Sequence, residues 1–221
     1  MSTIAIIPAR GGSKRFPNKN IALLNNKPLL TYSIEFALNN NDLIDEVVVS
    51  TNDPSVKSIA EKLGVTVIDR PEHLSGDNEP TITALQHVLQ NQDKAFEHVV
   101  LLQATNPLRP VNLLKEAFES YRKGNYESLM TVSRNWQKFG KIQNDKFIPF
   151  NYEMGQRSQD LEPLYFENGM LYISKASLIK EGRILGEDNF PMIVEHPYAQ
   201  IDIDEEEDLE WAAFALRKYN G

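Results

Sequence analysis

The chain has 221 residues, 41% of them apolar or aromatic, enough to bury a core as one domain with at most a small lobe, which excludes a disordered tail or a short peptide. Its 31 acidic and 23 basic side chains leave a formal charge of −8, which opposes general binding to a polyanion such as duplex DNA, so an anionic ligand must meet a local cluster of cations. Cysteine is absent, which excludes disulfides, thiolate metal sites and a cysteine nucleophile.

The opening residues MSTIAIIP lack the positive start and long apolar run of a secretory signal. No stretch approaches the roughly 18 apolar residues that span a bilayer, so the expectation is a soluble, cytoplasmic protein with no membrane partner. Short β-branched runs then alternate with amphipathic segments. Strands are predicted over 4–7, 47–50, 65–68, 99–102 and 129–132, with helices over 29–38, 56–63, 82–89 and 113–121 between them. Continuous apolar strands joined by helices predict an α/β fold, a mostly parallel sheet covered on both faces, with ligands beyond the strand C-terminal ends.

The pattern breaks between about 136 and 168, where residues 141–148 read as a hairpin turning at Asn144-Asp145, followed by a polar, irregular stretch. This segment reads as a lobe inserted in a single domain covering 1–221. Strand character resumes over 170–173 and 193–195, and 199–203 leads into a final helix over 205–219, with Leu209, Ala212, Ala213 and Leu216 as its apolar stripe.

The segment after the first strand, PARGGSKRFPNKN, carries the chemistry. Gly11 and Gly12 permit close backbone approach, and Ser13 with four cations, Arg10, Lys14, Arg15 and Lys19, supplies donors for phosphate oxygens. It is neither a Walker A loop nor a Gly-x-Gly-x-x-Gly turn, which argues against a dinucleotide oxidoreductase. On composition alone, a solvated basic turn uses the same residues. Near the other end, Asp202 and Asp204 stand two apart in Ile-Asp-Ile-Asp. On a strand both point to one face, suited to a divalent cation such as Mg2+, with Mn2+ as a substitute. The competing expectation is that Asp204 caps the final helix, with Glu207 completing a capping box. Together the cationic loop and the acid pair imply metal-assisted attack on a nucleotide α-phosphate, with pyrophosphate leaving.

Six segments recur in one order: IPARGGSK from Ile7, Lys19-Asn20, LLQATNPLR from Leu101, RSQDL from Arg157, Asn168-Gly169, and IDID from Ile201. The sequence resembles the cytidylyltransferases that make CMP-sialic acid, nearly from end to end. The resemblance implies a Rossmann-like nucleotidyltransferase fold, a homodimer built through the inserted lobe, and CTP plus a nine-carbon sugar acid of the acylneuraminate class as substrates. It makes Arg10, Gly11, Gly12, Ser13, Lys14, Lys19 and Asn20 contacts to phosphate and ribose, with Arg10, Lys14 and Lys19 stabilising the leaving phosphates. Arg70 reads cytosine O2 and N3, although a surface salt bridge to Asp69 or Glu72 is its simpler use. A backbone carbonyl near Glu79 to Thr81 accepts from the cytosine amino group. Gln103, Arg157, Asn168 and Tyr172 fall on the sugar side, Arg157 facing the acceptor carboxylate unless Asp160 takes it, and Tyr172 serving equally well as core. Asp202 and Asp204 hold the metal.

Two departures lie near the acceptor. The family's usual proline and serine are Ala104 and Asn106 here, and the Trp136 to Gly140 segment lacks the usual histidine-proline pair. They leave open N-acetylneuraminate, legionaminate, pseudaminate or a deaminated relative. His73, His87, His98 and His196 fall on turns or helices with structural roles, which leaves a metal-bound hydroxide or a carboxylate beside Asp202 as base. A CMP-Kdo synthetase is the nearest enzyme alternative, and a nucleotide-sensing module without turnover is the non-enzymatic one.

Overall fold

The first strand shows why its run is apolar on both sides. Ala5 and Ile7 enter one core and Ile4 and Ile6 the other, and all four are fully buried. Each of the three isoleucines contributes about 1.5–3 kcal/mol on burial, and the single methyl of Ala5 about 1 kcal/mol or less. The computed structural model describes residues 2–219. Its strands are β1 (Thr3–Pro8), β2 (Leu23–Leu24), β3 (Lys27–Pro28), β4 (Glu46–Thr51), β5 (Thr66–Asp69), β6 (His98–Leu101), β7 (Ser128–Arg134), β8 (Gly140–Gln143), β9 (Lys146–Pro149), β10 (Tyr165–Lys175) and β11 (Asn189–Ile193). Its α-helices are α1 (Leu29–Leu38), α2 (Pro54–Lys62), α3 (Thr81–Gln90), α4 (Leu113–Gly124), α5 (Ala176–Lys180) and α6 (Glu207–Tyr219).

Seven strands form the central sheet in the order β11-β7-β10-β6-β1-β4-β5, parallel except for β10, which runs against both of its neighbours. Helices α1, α2, α4 and α6 cover one face; α3 and α5 cover the other. The expected α/β class and mostly parallel sheet are therefore present. No helix among the described residues is long and apolar enough to cross a membrane.

Local chemistry explains the boundaries. Asp53 caps α2 by accepting from the N–H groups of Ser55 and Val56, with Pro54 in the first turn. Asn144 and Asp145, both at positive φ, make the expected hairpin turn between β8 and β9. The same turn at Asn25-Asn26 joins β2 to β3, a hairpin too short to leave a sequence period. Two expectations shift. Residues 165–167, read as part of the inserted lobe, pair with β7 in the main sheet, and the strand expected over 193–195 lies over Asn189–Ile193.

The connection after β6 carries a buried polar frame. Asn106 Nδ2 donates to the Asn168 carbonyl at 3.1 Å and the Ile201 carbonyl at 3.0 Å. Gly169, at φ +74°, packs so closely that a Cβ would sit 2.5 Å from Asn106 Oδ1, so glycine is required twice over. Buried Arg109 donates to the carbonyls of Met170 (2.7 Å) and Gln103 (2.9 Å) and to Ser33 Oγ (3.0 Å). All three partners are neutral, and burial lowers its pKa to about 9. Replacing Asn106 with leucine strips the donor from two carbonyls, at about 1–3 kcal/mol each. We expect Asn106→Leu to lower the unfolding free energy by about 2–4 kcal/mol in urea titration; a loss under about 0.5 kcal/mol would show that the frame does not depend on this amide.

Candidate nucleotide site

Parallel pairing of β1, β4, β5 and β6 puts their C-terminal ends on one edge. The residues that follow, Arg10, Asn52, Arg70 and Gln103, therefore meet there although they are far apart in the chain. The loop after β1 is closed by its own contacts. Gly11 N–H donates to Asn52 Oδ1 at 2.9 Å, Asn20 Nδ2 donates to the Arg10 carbonyl at 2.9 Å, and Gly12 takes φ +74°, a glycine position. A cavity of about 180 Å³ opens against Arg10, Ser13, Lys19, Asn20, Arg70, Thr81 and Gln103. It adjoins a groove of about 420 Å³ running past Gly11, Gly12, Asn52 and Asp77.

Arg70 is 7% exposed, and its Nε and Nη2 have no hydrogen-bond partner. Burial, then the charge of Arg10, lowers its pKa to about 10. The surface salt bridge does not form: Asp69 pairs with Lys57 at 2.7 Å and Glu72 accepts from Asn52 Nδ2 at 3.1 Å. A buried guanidinium with unused donors lining a cavity is a binding group awaiting acceptors. Thr81, which begins α3, lines the same cavity.

Two carboxylates each hold two of the loop's four cations. Asp204 accepts from Lys19 at 3.0 Å and Arg15 at 2.6 Å, and Asp77 from Arg10 at 2.8 Å and Lys14 at 2.5 Å. Burial alone would raise the Asp204 pKa, but Lys19 and then Arg15 outweigh it and hold the carboxyl below its usual range. Asp202 differs. Partial burial of its carboxyl raises its pKa, the Thr105 hydroxyl opposes the rise, and the charge of Asp204 adds to it. That is an oxygen pair short of positive charge, which fits a hard divalent cation. Among the described residues no group of three or more acids or histidines stands ready to hold a metal. Phosphate and water would complete the coordination, as is usual for Mg2+.

The expected strand over 201–204 is an extended segment outside the sheet, held by Ile203 N–H to the Thr105 carbonyl at 2.8 Å and by Asn106. Nor does Asp204 cap the final helix. Asp208 reaches back instead, accepting from the N–H groups of Asp204 and Glu205 at 2.8 Å each, which leaves the Asp204 carboxylate to the loop.

The sugar-side residues divide. Gln103 lines the cavity, its carbonyl fixed by Arg109 and Ser33. Asn168 is buried and committed within the protein: Oδ1 accepts from Thr131 Oγ1 at 2.6 Å and Nδ2 donates to Ser133 Oγ at 3.0 Å, so it shapes the β10 bulge. Tyr172 is buried in the core beside α3 and α5, its hydroxyl donating to Glu167 Oε2 at 3.0 Å. Arg157 lies in the lobe, paired with Asp160 through both oxygens at 2.7 and 3.2 Å, and is not among the residues lining the cavity. No histidine lines it either. His98, expected on a turn or helix, opens β6 and hydrogen-bonds Tyr121 at 3.2 Å.

Residues 4–211 match the cytidylyltransferase family. The chain belongs to that family. A pseudaminic acid cytidylyltransferase of Campylobacter jejuni (strain 81-176) is 34% identical, covering 96% of this chain and 95% of that protein. A CMP-N,N'-diacetyllegionaminic acid synthase of Legionella pneumophila is 33% identical, covering 96% and 94%. An N-acylneuraminate cytidylyltransferase of Escherichia coli O18:K1:H7 is 32% identical over 98% of this chain and 52% of its own length. Among solved structures, a CMP:2-keto-3-deoxy-manno-octonic acid synthetase complexed with CTP superposes with a TM-score of 0.73 over 99% of both chains, at 17% identity, a likeness of fold.

Sequence reasoning about this cytidylyltransferase overlooked Asp77, Thr105 and Arg109. Asp77 is a lone acid in a Ser-Gly-Asp-Asn turn, 67 residues from Arg10, and carries no local signal. Arg109 ends the LLQATNPLR motif, and its lack of any acid within the motif was the available hint. In this cytidylyltransferase, Arg70→Met should leave unfolding free energy unchanged or raised by up to about 1 kcal/mol, since it removes an unpaired buried charge. It should weaken CTP binding at least about tenfold by calorimetry. A stability loss above about 2 kcal/mol with CTP binding intact would make Arg70 structural.

Proposed function

We propose that this protein transfers CMP from CTP to the anomeric hydroxyl of a nine-carbon sugar acid of the acylneuraminate class, such as N-acetylneuraminate, legionaminate or pseudaminate, releasing pyrophosphate. The observation that carries the reading is the buried, unpartnered Arg70 guanidinium in one cavity with the cationic loop and beside the Asp202–Asp204 segment. Arg70 donates to cytosine O2 and N3, the acceptors that face a guanidinium fork. The carbonyl near Thr81 takes the cytosine amino group, which separates cytosine from uracil.

Arg10, Ser13, Lys14 and Lys19 bind the β,γ-phosphates, with the Gly11 and Gly12 backbone close behind, and Asn20 faces the ribose. As the bond to the α-phosphorus breaks, negative charge grows on the leaving pyrophosphate, and Arg10, Lys14 and Lys19 stabilise it where it forms. Asp202, with Asp204 once Lys19 and Arg15 turn to phosphate, would hold Mg2+. When bound, that ion neutralises phosphate charge and polarises the α-phosphoryl group. Gln103 orients the acceptor, and a carboxylate on the Asp202 side takes its anomeric proton.

Exposed Trp136, Phe139, Phe147 and Phe150 on the lobe support a homodimer, because apolar surface of this extent is normally covered. A need for CTP and the absence of cysteine support a cytoplasmic setting.

The test is pyrophosphate release from CTP or UTP with Mg2+ and a panel of sialic, legionaminic, pseudaminic and Kdo acids. We expect turnover with CTP and at least one nine-carbon acid; turnover with Kdo alone, or none, would contradict the reading. Asp202→Asn should cut kcat by about 10²–10³-fold while CTP binding in chelator stays within about threefold. Retained turnover would remove Asp202 from the site.

A further inference from the structure

Asp77 lies outside every motif that carries the family resemblance, in the turn between a 3-10 turn at Glu72–Leu74 and α3. One of its oxygens meets Arg10 Nη1 at 2.8 Å and the other meets Lys14 Nζ at 2.5 Å. The same Arg10 nitrogen also reaches the Ser75 carbonyl at 3.3 Å. Arg10 stands near enough to Arg70 to disfavour a second charge there, so the empty site gathers like charges that need a counter-anion. Asp77 supplies it from the lining of the groove that adjoins the cavity.

We propose that Asp77 is a place-holder for the leaving phosphates: it neutralises Arg10 and Lys14 in the empty enzyme, yields them to the β,γ-phosphates, and competes for them again as pyrophosphate departs. This rests on the CTP reading above. Magnitudes decide the sign. The Asp77 and Lys14 side chains are 33% and 82% exposed, so the pairing is screened and contributes little to order. A carboxylate on cations shared with a ligand of several negative charges repels each of those charges, and that repulsion is the larger effect. Removing it therefore tightens pyrophosphate and slows its release.

Calorimetric titration of pyrophosphate, CMP and CTP into the wild type, Asp77→Asn and Asp77→Ser tests this, with thermal melts confirming that each variant folds. Asp93→Asn, an exposed acid beyond the far end of α3, controls for net charge. The expected result is pyrophosphate affinity raised about tenfold in both Asp77 variants, CMP within about twofold, and no change in Asp93→Asn. Pyrophosphate affinity unchanged or weakened overturns the proposal, as does an equal shift for CMP, which would mean that Asp77 shapes the loop. If the wild type binds pyrophosphate and CTP but the variants do not tighten, this inference alone falls. If the folded wild type binds neither, the CTP reading falls and takes this inference with it.

Discussion

The contacts of Lys19 and Arg15 with Asp204 are the constraint around which the site is arranged. They join residues 185 and 189 positions apart, and thereby set the loop after the first strand against the segment before the last helix. Four cations crowded into ten residues would repel one another and splay into solvent without counter-charge. Asp204 and Asp77 supply that charge from two sides. The arrangement stays provisional, because each pair is partly exposed and weak enough to be exchanged for a stronger anion. A loop that must open to a highly charged ligand and close on it is served by such pairing, whereas a fully buried ion pair would be too costly to break.

Behind this exchangeable layer lies a fixed one. Arg109, Asn106 and the Asn168–Thr131–Ser133 cluster are buried and hydrogen-bonded throughout, and they bind the connection after β6 to β10 and to residues 201–204. Satisfied buried polar groups specify one geometry because any shift leaves a donor or acceptor unpaired. Asn106 extends this frame with an amide that spans two carbonyls. Among the described residues, Arg70 is one of the few buried groups left without a partner, beside Thr3, Ser50, His87, Arg134 and Tyr198, and it alone among them lines the cavity with the cationic loop, so its unused donors mark the place where a ligand completes the hydrogen bonding.

Much of this was legible in the sequence because the signals were local. Helix α1 was read to its ends from its apolar spacing, and the β8–β9 turn from Asn144-Asp145, residues that tolerate positive φ. The mostly parallel sheet followed from apolar runs that could only be buried on both faces, whereas the strand order and the antiparallel β10 carry no local signal. The Ile-Asp-Ile-Asp alternation holds only at its centre, where Ile203 is buried and Asp202 is exposed as a residue with its carboxyl partly shielded, while Ile201 and Asp204 are both half-buried; side-chain and loop contacts hold the segment extended without a ladder. Period two reports alternating burial, not strand pairing. Asn168 was placed on the sugar side, and Tyr172 left between sugar and core, because a motif conveys position and not the direction of a side chain. Asp77 was invisible because its partners are distant in the chain.

The claim at the centre is that residues from the first and last portions of the chain close on one nucleotide. Hydrogen–deuterium exchange with and without CTP and Mg2+ measures this most directly, because it reads both portions at once. The account predicts slowed exchange in 9–20 and in 201–208 together, with slowing at 70–81 where the base is read. Protection of 9–20 alone, with 201–208 unchanged at saturating CTP, would contradict it.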